Sequence, residues 1–216
     1  MSYFPDINQL SRFEVVFFDL DNTIYPYTPA HKVAQKAALE QFSQAYALTM
    51  DDATARYKAA RHIIHDRLHG QASSHSRLLY FKEMIQALDG KVNMADALVY
   101  ERAYWHTFLE AMQPDPQAMA LIKQLKQAGK RLGIITDLTT QIQLEKFNKL
   151  ELWDYFDCMI TSEEAGIEKP NEGIFALALQ TMNTAASNCA MIGDNPDTDG
   201  GAEAIGMTPF IIQLPQ

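Results

Sequence analysis

Cysteine is scarce: the 216 residues hold two, Cys158 and Cys189. Two thiols cannot build a disulfide framework, and neither stands in a metal-type spacing. Both lie in apolar segments, Cys158-Met159-Ile160 and Cys189-Ala190-Met191-Ile192, so each is expected to be a small core residue in a reducing, cytoplasmic setting. Long apolar runs are also missing, and no segment reads as a membrane span. The opening Met1-Ser2-Tyr3-Phe4-Pro5-Asp6 has neither the basic start nor the apolar stretch expected of a secretion signal. Basic charge is in short supply too, with 18 Lys+Arg against 27 Asp+Glu and a formal net charge of −9. That balance argues against nucleic acid and anionic membranes as partners, since both need a dense basic surface. A small anionic substrate stays open, because a metal ion can hold it in place of arginines. What is present is ordinary for a folded domain: 47% hydrophobic and 21% charged residues, enough for a sizeable core, with no internal repeat.

The chain changes character twice. Val15-Val16-Phe17-Phe18 is a short β-branched and aromatic run, read as a strand buried on both faces. From about Pro29 to Ala111 the pattern is helical, with helices expected over 31–47, 51–68, a third capped by Ser74 or Ser76, and 94–112 with Leu98, Tyr104, Trp105 and Phe108 as its apolar stripe and Tyr100 packing with these aromatics rather than forming a base-stacking platform. At Pro114-Asp115-Pro116 the style changes again. Asp115 suits a helix N-cap, Pro116 its first turn and Gly129 its end. Strands (132–136, 157–161, 190–192, 208–212) then alternate with helices (140–150, 173–182, 199–205). That alternation predicts an α/β fold, a Rossmann-like parallel sheet with helices on both faces, carrying an all-α insert after its first strand. The predicted division is an α/β core of residues 1–24 and 112–216 and a helical domain of 25–111.

Polar residues gather where the strands end. The first strand runs into Asp19-Leu20-Asp21-Asn22-Thr23, and alternation puts Asp19 and Asp21 on one face. A polar turn would use the same residue types, but two adjacent carboxylates repel unless a cation or shared proton relieves them. The pair suits a nucleophile beside a general acid/base, with a divalent metal at hand. The next strands end at Thr136-Asp137, lead into Lys169-Pro170, and end at Gly193-Asp194, with Asp197 and Asp199 close behind. Ligands of open parallel sheets bind beyond the carboxyl ends of the strands. Acids, a hydroxyl and a lysine collected there suit Mg²⁺ and a phosphoryl group.

The order DLDNT, IIT, KP and GDNPDTD resembles the haloacid dehalogenase (HAD) superfamily, across the α/β part on both sides of the insert. The resemblance implies a hydrolase of phosphoric monoesters acting on a small phosphorylated metabolite. Asp19 would form an aspartyl-phosphate, and Asp21 would protonate the leaving oxygen and then activate water. Thr136 and Lys169 would hold the phosphoryl oxygens. Mg²⁺ would sit on the Asp19 carboxylate, the Asp21 main-chain carbonyl and Asp194, with Asp199 acting through water or from behind the ligands. An acid at Asp21 separates phosphatases from the dehalogenases and phosphonoacetaldehyde hydrolases of the superfamily. Asp137 departs from the frequent Asn at that position, and an acid beside a phosphate pocket must turn away or meet a polar substrate group.

The insert lies where a C1-type helical cap occurs in this superfamily. Its most polar short stretch, Gln71-Ala72-Ser73-Ser74-His75-Ser76-Arg77, offers Ser74, His75 and Arg77 as specificity candidates, against the plainer reading of a surface loop. His62, His65 and His69 share a helical face, a pattern more often solvated than metal-binding. The start Asp19-Leu20-Asp21-Asn22-Thr23-Ile24-Tyr25-Pro26, followed by a long helical insert, looks like pyrimidine 5′-nucleotidase relatives, which makes a nucleoside 5′-monophosphate a candidate substrate. A phosphomutase is the enzymatic alternative, and a non-catalytic HAD-fold binding protein the alternative of another class.

Overall fold

The computed structural model describes residues 3–88, 90 and 92–215. The chain forms two compact units, one comprising the chain up to Tyr27 and from Met112 onward, the other Thr28–Ala111.

The first unit is built on a parallel sheet of five strands among the described residues: β1 (Val15–Phe18), β2 (Arg131–Thr136), β3 (Cys158–Thr161), β4 (Cys189–Gly193) and β5 (Thr208–Ile211), in the order β3-β2-β1-β4-β5. β1 lies at the centre, with Phe17 paired to Gly133 on one side and Met191 on the other. Such a strand is covered on both faces, and all four of its residues are buried. This is why the run VVFF is apolar without alternation. Val15, Phe17, Ile135, Cys189 and Met191 pack against Ile174, Phe175 and Ala178 of helix Glu172–Thr181. Gly133 is required by this packing. A Cβ there would lie 2.6 Å from the Phe17 ring and 3.0 Å from the Cys158 sulfur.

Local signals set the flanking helices. Asp115 caps Pro116–Gln127, accepting from the Gln117 and Ala118 N–H groups at 2.9 Å each, and proline supplies a first-turn φ without a wasted donor. Helix Thr140–Lys149 is capped from outside its own sequence. The Glu163 carboxylate accepts the Thr140 N–H at 2.7 Å, tying this helix to the turn after β3. The expected helix at 199–205 is present as a tighter 3₁₀ helix, Asp199–Ile205.

The helical unit contains Met50–Arg67, Arg77–Gln86, Ala97–Ala111 and nearly all of Tyr27–Ala45. Its centre is aromatic: the Tyr100 ring lies 5.1 Å from that of Phe42 and 5.7 Å from that of Phe81. Of the residues expected in the stripe of the last helix, Leu98 alone departs. Leu98 is 41% exposed, and Tyr100 takes the inward position with Tyr104, Trp105 and Phe108. The inward set 97, 100, 104, 108 follows the 3- and 4-residue helical steps, and Leu98 stands about 100° away from Ala97. Ser76, rather than Ser74, caps Arg77–Gln86, accepting from the Leu79 N–H at 3.3 Å.

Candidate active site

β1 delivers Asp19 directly. The Asp19 N–H donates to the Ile192 carbonyl at 2.8 Å, extending the ladder between β1 and β4 by one residue. The chain then turns, with Ile24 N–H on the Leu20 carbonyl and Asn22 at φ 60. The turn places Asp21 in different surroundings from Asp19.

Lys169 joins the acids. Its ammonium, almost fully buried, lies 2.7 Å from Asp19 Oδ1, 2.6 Å from Asp199 Oδ1 and 4.0 Å from Asp137 Oδ2. Burial opposes the charge on Lys169, but Asp19, Asp199 and Asp137 outweigh it and hold the ammonium well above its ordinary 10.5. Burial also pushes Asp19 well above 3.8; Lys169 opposes this, while Asp199 and Asp21 add to it. Burial and the charge of Asp199 likewise raise Asp194, whose side chain is hydrogen-bonded by Asn22. Oxygens of Asp19, Asp194 and Asp199 lie within 4.8 Å of one another, and among the described residues no other His, Cys, Asp and Glu side chains form such a group.

These donors fit a hard divalent cation. Three carboxylates face one lysine, and the excess negative charge and all-oxygen donor set are what Mg²⁺ takes. Asp199, expected behind the metal ligands, has its carboxylate in the group itself. Gly193 makes room for it: a Cβ at that position would stand 2.2 Å from the Asp199 carboxyl. Asp199 is held from its other side by the Asn195 N–H, 3.1 Å from Oδ2. Asp197 is exposed and outside the group.

Thr136 ends β2 with 1% of its surface exposed. Asp137 turns toward the lysine loop, accepting the Lys169 N–H at 3.0 Å. The acid thus clasps two strand-end loops together. Asp21 is engaged by a residue that the sequence reading did not single out. The Lys146 ammonium, fully buried, lies 2.8 Å from both Asp21 oxygens, and the Tyr25 hydroxyl donates to Oδ1. Gln143, also fully buried, donates to Thr136 Oγ1 at 2.6 Å and to the Asp137 carbonyl at 2.7 Å. A signal for both was available. Residues 142, 143, 146 and 147 form one helical face, and Gln143 and Lys146 interrupt the apolar pair Ile142 and Phe147.

The polar stretch of the helical unit folds inward. Ser74 is 2% exposed, and its carbonyl accepts the Tyr80 hydroxyl at 2.6 Å. The His75 ring meets that of His65 at 4.8 Å. Arg77 donates to the His75 carbonyl at 2.6 Å and to the Tyr104 hydroxyl at 3.3 Å, with its guanidinium over the Tyr104 and Trp105 rings. The three histidines do not gather: His62 lies beside Asp66, His65 meets the Tyr80 hydroxyl, and His69 falls beyond the helix end at Arg67.

A five-stranded parallel α/β sheet with acids and a lysine beyond its strand ends suits chemistry on a phosphoryl group. The haloacid dehalogenase-like hydrolase family matches residues 13–206. A ribulose-1,5-bisphosphate 5-phosphatase of Halopiger xanaduensis is 40% identical over 89% of this chain and 81% of its own. A glyceraldehyde 3-phosphate phosphatase of Methanothermobacter thermautotrophicus is 31% identical over 92% of this chain and 85% of its own. The solved structure of a HAD phosphatase from Thermococcus onnurineus shares the fold, with a TM-score of 0.72 and 24% identity over 91% of this chain and 84% of that one. The chain belongs to the haloacid dehalogenase-like hydrolases, in their phosphatase branch.

Proposed function

We propose that the chain is a Mg²⁺-dependent phosphomonoesterase that hydrolyses a small phosphorylated metabolite through an aspartyl-phosphate on Asp19. The observation that carries this reading is the buried Lys169 ammonium held between Asp19 and Asp199, with Asp194 completing the carboxylate group. Asp19, Asp194 and Asp199 would hold the metal, with the Asp21 main-chain carbonyl as the further ligand that the family resemblance implies. The bound ion would offset phosphoryl charge and leave Asp19 an unprotonated nucleophile.

The chain's own groups account for the rest. An Asp19 oxygen attacks phosphorus, and the bond from phosphorus to the ester oxygen breaks. The departing oxygen takes a proton from the Asp21 carboxylic acid and leaves as an alcohol. Water then attacks the phosphoryl group, Asp21 takes the water's proton, and the bond to Asp19 breaks to release phosphate. The net change is monoester plus water to alcohol plus phosphate. Thr136 and Lys169 hold the phosphoryl oxygens by charge-assisted hydrogen bonds. Both cysteines are free thiols, which suits a reducing, cytoplasmic setting.

Sugar phosphates and nucleoside 5′-monophosphates are the substrate classes to compare. A panel of both, with p-nitrophenyl phosphate, tests the activity through phosphate release with and without Mg²⁺. Asp19→Asn should abolish turnover on every substrate; turnover at the wild-type rate would falsify the aspartyl-phosphate route. The family resemblance assigns substrate selection to the helical unit, and His75→Ala should then reorder the panel.

A further inference from the structure

We infer that Lys146 is a positioning residue for the acid–base step: its ammonium fixes the orientation of the Asp21 carboxyl so that Oδ2 meets the reacting oxygen. The inference rests on the reading of Asp21 as the proton donor to the leaving group.

Three observations carry it. First, Lys146 is fully buried and 2.8 Å from each Asp21 oxygen. A lysine is rarely buried so completely without a partner that fixes it, and the forked contact stops the carboxyl from rotating about its own bond. Second, a carboxylate oxygen has two lone-pair directions. Lys146 uses one on each oxygen and the Tyr25 hydroxyl a second on Oδ1. Among the described residues, Oδ2 keeps a direction that no protein donor occupies, so the reacting oxygen is Oδ2. Third, the lysine is carried by a rigid element. Helix Thr140–Lys149 is anchored by Phe147, whose ring lies 4.8 Å from Trp153 and 5.5 Å from Phe156. One turn earlier, Gln143 on the same face holds Thr136. One helix face thereby sets both the phosphate-binding hydroxyl and the acid–base group.

Leaving-group dependence separates this role from a merely structural one. A proton donor matters for a poor leaving group such as an alkoxide and little for p-nitrophenolate. The measurement is kcat/KM, which covers the step in which the leaving group departs, on the best alkyl phosphate of the panel and on p-nitrophenyl phosphate. Wild type, Lys146→Met, Lys146→Gln, Asp21→Asn and the double variant Asp21→Asn/Lys146→Met are compared, with circular dichroism to confirm folding. The two Lys146 variants back each other should one fail to fold. Lys146→Met is expected to lose about tenfold or more on the alkyl phosphate and only a few-fold on p-nitrophenyl phosphate. The double variant should be no worse than Asp21→Asn alone. Equal losses on both substrates, no loss, or a gain from releasing Asp21 would overturn the inference. If Asp21→Asn is itself indifferent to the leaving group, the acid–base reading falls and this inference with it. If Asp21→Asn is selective and Lys146→Met is flat, only the role of Lys146 falls.

Discussion

Gln143 donates to the Thr136 hydroxyl at 2.6 Å, and this fixes which way that hydroxyl can act. The second amide N–H goes to the Asp137 carbonyl at 2.7 Å. A carbonyl only accepts, so the amide nitrogen must face it, and the Gln143 orientation is settled. Thr136 Oγ1 therefore accepts from Gln143, and its own hydrogen is left for another acceptor, which in the proposed reading is a phosphoryl oxygen. Gln143→Leu should lower kcat/KM by about two- to tenfold, the worth of one oriented hydrogen bond. Gln143→Glu should lower it further, because a carboxylate draws the Thr136 proton inward. Steady-state kinetics of the pair decide it, and a Glu variant as active as wild type would remove Gln143 from the site.

Asp137 stands where an acid next to phosphate looks unfavourable, and its contact with the Lys169 N–H gives it a different task. Asparagine keeps an acceptor there, so Asp137→Asn should cost only a few-fold in activity and leave the order of substrates intact. Alanine removes the clasp and should cost about tenfold, the size of a lost hydrogen bond to a charged group. A change in substrate order with Asp137→Asn would show instead that the carboxylate meets the substrate.

The six core residues Asp19, Asp21, Thr136, Lys169, Asp194 and Asp199 could be placed from sequence because a parallel sheet delivers strand-end residues to one edge, and strands are legible as apolar runs. β1 is found at its predicted bounds and the other strands within one residue of theirs at each end. Gln143 and Lys146 were harder to see. A polar residue on a short helix ordinarily faces water, and the partners of these two lie 7 and 125 positions away in the chain. The one-turn helices Ile7–Leu10 and Ser162–Ala165 are too short to show any period. The stretch 71–77 has surface-loop composition, yet Arg77 turns inward because Tyr104 and Trp105, on another helix, offer it two rings and a hydroxyl.

Removal of metal should act through the Asp19, Asp194 and Asp199 group. Chelation with EDTA is expected to stop phosphate release, and added Mg²⁺ to restore it. Asp194→Asn keeps the size of the side chain and removes one charged donor, so the Mg²⁺ concentration giving half-maximal activity should rise about 10- to 100-fold. The same variant should lose the rise in melting temperature that Mg²⁺ gives the wild type, since a ligand that binds only the folded form stabilises it. An unchanged Mg²⁺ requirement in Asp194→Asn would place the ion elsewhere.

The helical unit carries a pH dependence of its own. Arg77 only donates, so the Tyr104 hydroxyl accepts from it, and the same hydroxyl shares a hydrogen bond with His31 Nδ1, 2.6 Å away. Burial, with the charges of Arg77 and Arg61, lowers the His31 pKa from 6.5 to about 4. The folded-state value lies below the unfolded one, so between these limits the unfolded chain binds more protons. The contribution of His31 to stability is therefore complete above about pH 6.5 and is lost as pH falls toward 4. His31→Gln keeps a hydrogen-bonding group for Tyr104 and cannot titrate. Thermal melts followed by circular dichroism at pH 7 and at pH 4.5 should show a larger fall for wild type than for His31→Gln, and equal falls would mean that His31 titrates normally in the folded chain.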